Sequence, residues 1–297
     1  MSSLPILERL PGEYAVVESP NGVLAVQREL AEAFAGAGYG PDHVGPLQPS
    51  DLAGRKPLFE LAIGGERFVV RRFSHGGLLR WLTGARFLDA ERPFRELILA
   101  SELTRAGFET PEVVAARARR SKAGGWRLDL VTRRVEGSLN VAQALTALGE
   151  PPAGSAPRRR LLAATGSLVR RLHEAGFLHA DLTTSNLLLR GALPVGDRAG
   201  ASHALLILDL DKSRFRPAGL EHAERVGNLA RLLRHVERRR SGGQLPVRFT
   251  DYARFLRAYE PDRAARGALW QEIRAAHGRT LGFHAVGWAA ERRLAGS

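Results

Sequence analysis

From residue 57 onward the apolar positions fall into short runs with the spacing of strands. PLFELAIGGERFVVRRF holds two such runs divided by Gly64-Gly65, the pattern of a β-hairpin. PEVVAARAR and WRLDLVTRRV read as two more strands, separated by the turn-rich SKAGG. Between the pairs, Pro93 stands at a helix start and FRELILASELTRAG stops at Gly107, the Pro-first, Gly-last asymmetry of a real helix. The stretch SLNVAQALTALGEPPAGSAP breaks every period with Pro and Gly and reads as a surface connection. Helical spacing then takes over. RRRLLAATGSLVRRLHEAG sets Leu161, Leu168 and Leu172 on one face, with Leu162 and Val169 beside them, and ends at Gly176. ERVGNLARLLRHVERRR does the same with Val226, Leu229, Leu233 and Val236, and its opposite face is arginine. Two short apolar runs, NLLLR and ALLILDLD, lie between these helices around a polar, glycine-containing insert at 191–203. Residues 1–45 offer one weak amphipathic helix, QRELAEAFAGAG, and otherwise read as irregular.

Strands with one helix, a connection, then helices enclosing a short strand pair amount to an α+β arrangement. The expected organisation is an N-terminal extension over 1–45, a small β-rich lobe with one main helix over 46–136, and a larger helical lobe over 137–297. No run approaches the roughly 18 apolar residues of a membrane span, and MSSLPILERLPGEY lacks the basic-then-apolar order of a secretory signal. The chain has no cysteine, which excludes disulfides and thiolate metal sites and suits a reducing cytoplasm. Forty-four Lys and Arg against thirty-one Asp and Glu give +13, a surface that attracts polyanions such as an anionic leaflet, a phosphorylated lipid or nucleic acid. An arginine-rich composition with solvated faces explains the same number equally well.

The chemistry is concentrated in FLHADLTTSNLLLR and LLILDLDKSR. Asp181 and Asn186 stand five residues apart on a tight loop before an apolar strand, and Asp209 ends a second apolar strand. Phosphoryl transfer needs such a set: one carboxylate to orient a hydroxyl and accept its proton, another to hold Mg²⁺ against ATP phosphates, and an amide oxygen to complete the coordination.

HADLTTSNLLL with ILDLD resembles the catalytic and metal-binding segments of the protein-kinase-like superfamily, across about residues 50–240. The resemblance implies a bilobal fold with ATP and Mg²⁺ between the lobes. Asp181 is then the base, Asn186 and Asp209 the metal ligands, and His179 a support for the loop through backbone contacts. Ala180 replaces the arginine usual in protein kinases, Asp209-Leu210-Asp211 lacks the usual glycine, and no Ala-Pro-Glu follows. These departures point to a small-molecule or lipid kinase.

Three segments narrow the likeness: FVVRRFSHGGLLRWLTGARFL, PFRELILASELTRAGFETPEVVAA and NLARLLR. Together they resemble the lipopolysaccharide core kinases, in particular kinases of the inner-core sugar Kdo (3-deoxy-D-manno-octulosonic acid). Arg71 then takes the place of the strand lysine that grips the α- and β-phosphates, with Glu96 its helix partner. Arginine is a departure there, since its planar fork is not an ammonium, and Arg72 or Lys56 could serve instead. Gly54 and Lys56 in DLAGRKP are candidates for the phosphate-covering loop, though no G-x-G-x-x-G is present. The adenine is expected against the connector at 132–137. Ser74 to Gly77 with Arg71, Arg72, Arg80 and Arg86 form a cationic segment for the Kdo carboxylate and lipid phosphates, and Leu78, Leu79, Trp81 and Phe87 would enter the membrane surface.

The resemblance therefore implies an ATP- and Mg²⁺-dependent kinase of a Kdo-containing lipid A precursor or related core glycolipid. It would work peripherally on the anionic cytoplasmic face of the inner membrane, without nucleic acid or an obligate protein partner. The alternatives are a kinase of another small molecule or core sugar such as heptose, or a non-catalytic kinase-like module binding nucleic acid or anionic membrane.

Overall fold

The Gly64-Gly65 pair does turn a hairpin. Both residues have positive φ, 60° and 84°, as a two-residue turn matched to strand twist requires. It joins β4 (Leu58–Ile63) to β5 (Glu66–Arg72), with Ile63 opposite Glu66. The computed structural model describes residues 4–52, 57–74, 86–149, 156–191 and 205–294. The chain divides into two units, Met1–Val135 and Glu136–Ser297.

The first unit is built on a seven-stranded antiparallel sheet of order β1-β2-β6-β7-β5-β4-β3. Its other strands are β1 (Tyr14–Ser19), β2 (Gly22–Gln27), β3 (Gln48–Pro49), β6 (Val113–Arg120) and β7 (Trp126–Arg133). Phe34, Phe68, Val70, Val114 and Val131 form the centre of its core. Helix α1 (Ala31–Gly36) contributes Phe34 to that core. Helix α2 (Arg92–Arg105) packs on β6 and β7 through Phe94, Leu97, Ile98 and Leu103. It ends as its sequence predicts. Gly107 takes φ 80°, its N–H bonds the Thr104 carbonyl, and the Phe108 N–H bonds the Leu103 carbonyl.

Two expectations are corrected here. Residues 1–45 are not an extension beside the sheet: β1 and β2 are its outermost pair on one side, and β2 pairs with β6. The β2 run GVLAVQ is buried almost throughout. A strand covered on both faces shows no alternation, so periodicity could not reveal it. Gly22 opens that strand, where any Cβ would collide with the Pro41 carbonyl. The second correction concerns Phe87, expected at a membrane surface. It is 5% exposed, its N–H and carbonyl bond Trp126, and Arg92 lies 5.0 Å over its ring. Leu78, Leu79, Arg80 and Trp81 lie outside the described residues.

The second unit is mainly helical. Its helices are α3 (Val141–Ala147), α4 (Ala156–Glu174), α5 (His222–Ser241), α6 (Phe249–Tyr259) and α7 (Arg263–Leu294). A three-stranded sheet of order β11-β10-β8 uses β8 (Leu139–Asn140), β10 (Leu187–Leu189) and β11 (Leu205–Ile207), and β9 (Phe177–Leu178) pairs with β12 (Arg214–Phe215). The segment read as a surface connection holds β8 and α3, with Val141, Ala142, Ala144 and Leu145 buried. Asn140 and Gln143 form a reciprocal capping box there, a signal hidden by the Pro and Gly that follow. Helices α4 and α6 pack closely at Gly166, where a Cβ would meet the Phe255 carbonyl and lie 3.1 Å from Ala258 Cβ.

Arginine is structural in this unit as well as superficial. Arg158, at the start of α4, is 1% exposed and pairs with Asp251 of α6 at 2.9 Å. The same guanidinium donates to the carbonyls of Leu145, Gly149 and Pro246. Burial would raise the Asp251 pKa, but its bonds from Arg158 and the Arg248 amide, with the charges of Arg158 and Arg254, hold it below the usual range. Truncating one partner strands the other charge in the core. Arg158→Ala or Asp251→Ala is expected to cost about 3–5 kcal/mol, and Arg158→Met with Asp251→Leu together less than either. Urea unfolding of the three variants measures this, and a double variant as unstable as the two singles summed would refute it.

Candidate active site

An antiparallel pair places the start of one strand beside the end of the other. In the second unit β10 and β11 pair with Leu187 opposite Ile207, so Asn186 and Leu208 meet at one sheet end, where the Leu208 N–H donates to the Asn186 carbonyl at 2.9 Å. The loop carrying Asp181 and the strand end carrying Asp209 are thereby neighbours. Nothing in their separation along the chain announces that.

His179 joins the two segments. Its Nδ1 accepts the Asp181 N–H at 3.1 Å, and its Nε2 bonds the Leu208 carbonyl at 2.9 Å. The first bond requires a bare Nδ1 and the second a protonated Nε2, so this arrangement selects one neutral tautomer. Burial lowers the pKa of this 1%-exposed ring, outweighing the bond to Leu208 and the nearby Asp209 and Asp181. Both nitrogens are committed to the backbone, so the ring supports the loop and is not an acid–base group. A second bridge runs from the Ala180 N–H to Ser213 Oγ at 3.0 Å, tying the loop to the turn after Asp209.

The three oxygen-bearing residues differ in setting. Asp181 is half-buried and Asp209 is exposed. Asp209 stands at φ 54°, a left-handed conformation that aspartate tolerates better than most residues and that turns the chain sharply at the strand end. Asn186 donates from Nδ2 to the Asp181 carbonyl at 2.8 Å and lies 3.4 Å from Asp181 Oδ2. With its nitrogen so used, its Oδ1 points away as an acceptor. An amide oxygen and an exposed carboxylate are hard donors that fit Mg²⁺. Among the described residues no three acids or imidazoles converge, but Mg²⁺ shared with a nucleotide needs only one or two carboxylates.

Helix α5 backs this loop through Asn228 and Arg231 of NLARLLR, a segment that the resemblance marked without giving them a role, and through Arg239. Asn228 Nδ2 donates to the His179 carbonyl at 2.7 Å, Arg231 reaches Asp181 Oδ1 at 3.7 Å, and Arg239 reaches Ser185 Oγ at 3.4 Å. The same helix carries Glu224 and Glu237, so the polarity of Asn228 alone gave no local signal. Behind it, His173 of α4 bonds Asn228 Oδ1 through Nε2 at 3.0 Å and Tyr259 of α6 through Nδ1 at 2.8 Å.

In the first unit, Arg71 of β5 forms an ion pair with the 4%-exposed Glu96 of α2, and its guanidinium lies 4.5 Å over the Phe73 ring. Arg72 instead lies 4.4 Å over Phe59. The two residues singled out together are thus brought together. Gly54 and Lys56 lie outside the described residues. Arg86 donates to the Ala123 carbonyl at 2.9 Å.

The His173 relay carries a pH dependence. Burial first, with the Arg225 charge, lowers the His173 pKa from 6.5 to about 4 against the opposing bond from Asn228. Between those values the unfolded chain binds a proton that the folded one refuses, so stability is complete above about pH 6.5 and falls toward pH 4. The loss attributable to His173 is about 3 kcal/mol at most. Unfolding midpoints measured from pH 7.5 to 4.5 should fall more steeply for the native chain than for His173→Gln. Equal slopes would refute this.

Comparison with known proteins gives this site a context. Residues 67–259 match the Lipopolysaccharide kinase (Kdo/WaaP) family. The 3-deoxy-D-manno-octulosonic acid kinase of Actinobacillus succinogenes is 30% identical over 202 residues, 66% of this chain and 76% of that protein. The enzyme of the same name from Xanthomonas axonopodis pv. citri is 30% identical over 244 residues, 80% of this chain and 90% of that protein. A solved structure of WaaP in complex with acyl carrier protein shares the fold at 20% identity, with a TM-score of 0.50 over 78% of this chain and 90% of that one. The family match spans well over half of the sequence and contains every strand and loop of the site: the chain belongs to the lipopolysaccharide kinase (Kdo/WaaP) family.

Proposed function

We propose that this protein transfers the terminal phosphoryl group of ATP to a hydroxyl of Kdo in the lipopolysaccharide inner core, on a lipid A precursor. The observation that carries the reading is the junction at one sheet end of Asp181, Asn186 and Asp209, locked by His179, in a chain whose relatives at 30% identity are Kdo kinases.

Each residue has a separable task. Asp181 orients the acceptor hydroxyl and takes its proton as the oxygen attacks phosphorus. Asn186 holds the Asp181 loop through its Nδ2 and offers Oδ1 to Mg²⁺, with the Asp209 carboxylate as second ligand. The chemistry that Mg²⁺ supplies when held by this pair is neutralisation of charge on the phosphate oxygens. Arg71, steadied by Glu96, is the cation for the α- and β-phosphates. Most of the rate enhancement is positioning and charge compensation, which a rigid loop serves well.

The acceptor is lipid-borne, which accords with a net charge of +13 and an anionic cytoplasmic leaflet as the place of work. The association proposed is peripheral; no described helix is long and apolar enough to cross a membrane.

Purified protein with ATP, Mg²⁺ and Kdo-bearing lipid A precursor should form phosphorylated acceptor. Asp181→Asn should slow that transfer by about 10²–10⁴-fold while nucleotide still binds. Full activity in Asp181→Asn would remove it from catalysis. Asp209→Asn should abolish the Mg²⁺ dependence of nucleotide affinity in a fluorescence titration, and an unchanged dependence would exclude Asp209 as a ligand.

A further inference from the structure

We infer that Arg231 of α5 binds the carboxylate of the acceptor beside Asp181 and so selects sugar acids over neutral sugars. This rests on the kinase reading above and adds the group that recognises the acceptor.

The electrostatic problem is plain. ATP, a sugar acid and the Asp181 carboxylate are all negative, and an acidic acceptor must approach an acidic base. The loop from His179 to Asn186, HADLTTSN, contains no lysine or arginine to offset this. A cation must come from elsewhere, and Arg231 provides one 3.7 Å from Asp181 Oδ1.

Its placement is held by the helix. Asn228, one turn earlier, is bonded to the His179 carbonyl at 2.7 Å, and Arg239, two turns later, reaches Ser185 at 3.4 Å. These residues share a face, so α5 runs along the loop with Arg231 level with the base. The Arg231 side chain is 46% exposed, and among the described residues its contact with Asp181 is the sole ion pair it makes. That contact is also long: a charge-assisted hydrogen bond would close to about 2.7–2.9 Å. A guanidinium has five donors, enough to hold a second carboxylate bidentately while steadying the first.

The next turn adds to the positive field. Arg234 is disfavoured in its charged form first by burial and then by the Arg231 charge, so two guanidiniums sit close enough to repel each other. With the acceptor hydroxyl on Asp181, a carboxylate on the same sugar lies within a ring width of Arg231.

The test compares Kdo with its methyl ester, which keeps the hydroxyls and removes the charge. Dissociation constants by calorimetry, and transfer rates with Mg²⁺-ATP, would be measured for the native chain, Arg231→Gln and Arg231→Lys. The native chain is expected to bind the acid about 10–100-fold tighter than the ester. Arg231→Gln should lose that preference with ester and ATP affinities unchanged, and Arg231→Lys should restore part of it. Equal weakening of acid and ester, an intact preference in Arg231→Gln, or no binding of either by the native chain would overturn the inference. So would an equal fall in kcat on both acceptors with binding unchanged, which would place Arg231 on the transferred phosphoryl group. A native chain that prefers the acid yet transfers no phosphate would instead sink the kinase reading and leave this subsite standing.

Discussion

The arrangement of the site depends on one imidazole. His179 accepts the Asp181 N–H at one nitrogen and bonds the Leu208 carbonyl at the other, so a single buried ring spans the Asp181 loop and the strand that delivers Asp209. Because burial disfavours its charged form, the ring keeps one neutral tautomer, and each bond requires the other. Protonation would leave Nδ1 with a hydrogen facing the Asp181 N–H and would break the clamp from the loop side. Precise spacing between Asp181 on its loop and Asp209 at a strand end is otherwise hard to maintain, since the sheet pairing fixes Asn186 and Leu208 but not the turns beyond them.

Much of this was legible in the sequence, for reasons that differ by element. The hairpin at Gly64-Gly65 and the helices ending at Gly107 and Gly176 carried both a period and a stop signal, the helix of Val226 to Val236 a period alone, and all formed. The strand β2 did not, because a strand buried on both faces has no alternation to detect. Helix α3 was obscured by the Pro and Gly just beyond it, although its capping box was present in Asn140 and Gln143. The site divides the same way. Asp181, Asn186 and Asp209 stood out because phosphoryl transfer needs that set of side chains, on a loop and at a strand end, and Arg71 with Glu96 because a family resemblance supplied the pairing. Asn228 and Arg231 fall within NLARLLR, which the resemblance marked without assigning them a task, and like Ser213 they meet the loop through tertiary proximity that no local pattern shows.

The arginine excess also resolves into kinds. Arg158 and Arg117 are nearly inaccessible and each faces a buried aspartate, Asp251 and Asp129. Arg95, Arg170 and Arg216 are exposed members of ion pairs that contribute little. The arginine count therefore overstates the cations offered to a partner, but each such pair is neutral and leaves the net charge of +13 on the rest of the molecule. That charge is unevenly spread, and the face of α5 turned toward the Asp181 loop is one place where it gathers.

The relay from Tyr259 through His173 and Asn228 to His179 crosses three helices before it reaches the loop. Each bond fixes the donor or acceptor role of the next group, so the His179 carbonyl, and with it the backbone of the loop, is held partly by a phenol that meets no substrate. In a saturation-mutagenesis map, Tyr259 and Asn228 would then score with the active site rather than with the core around them. Proximity to the chemistry would rank them poorly; connectivity would rank them well.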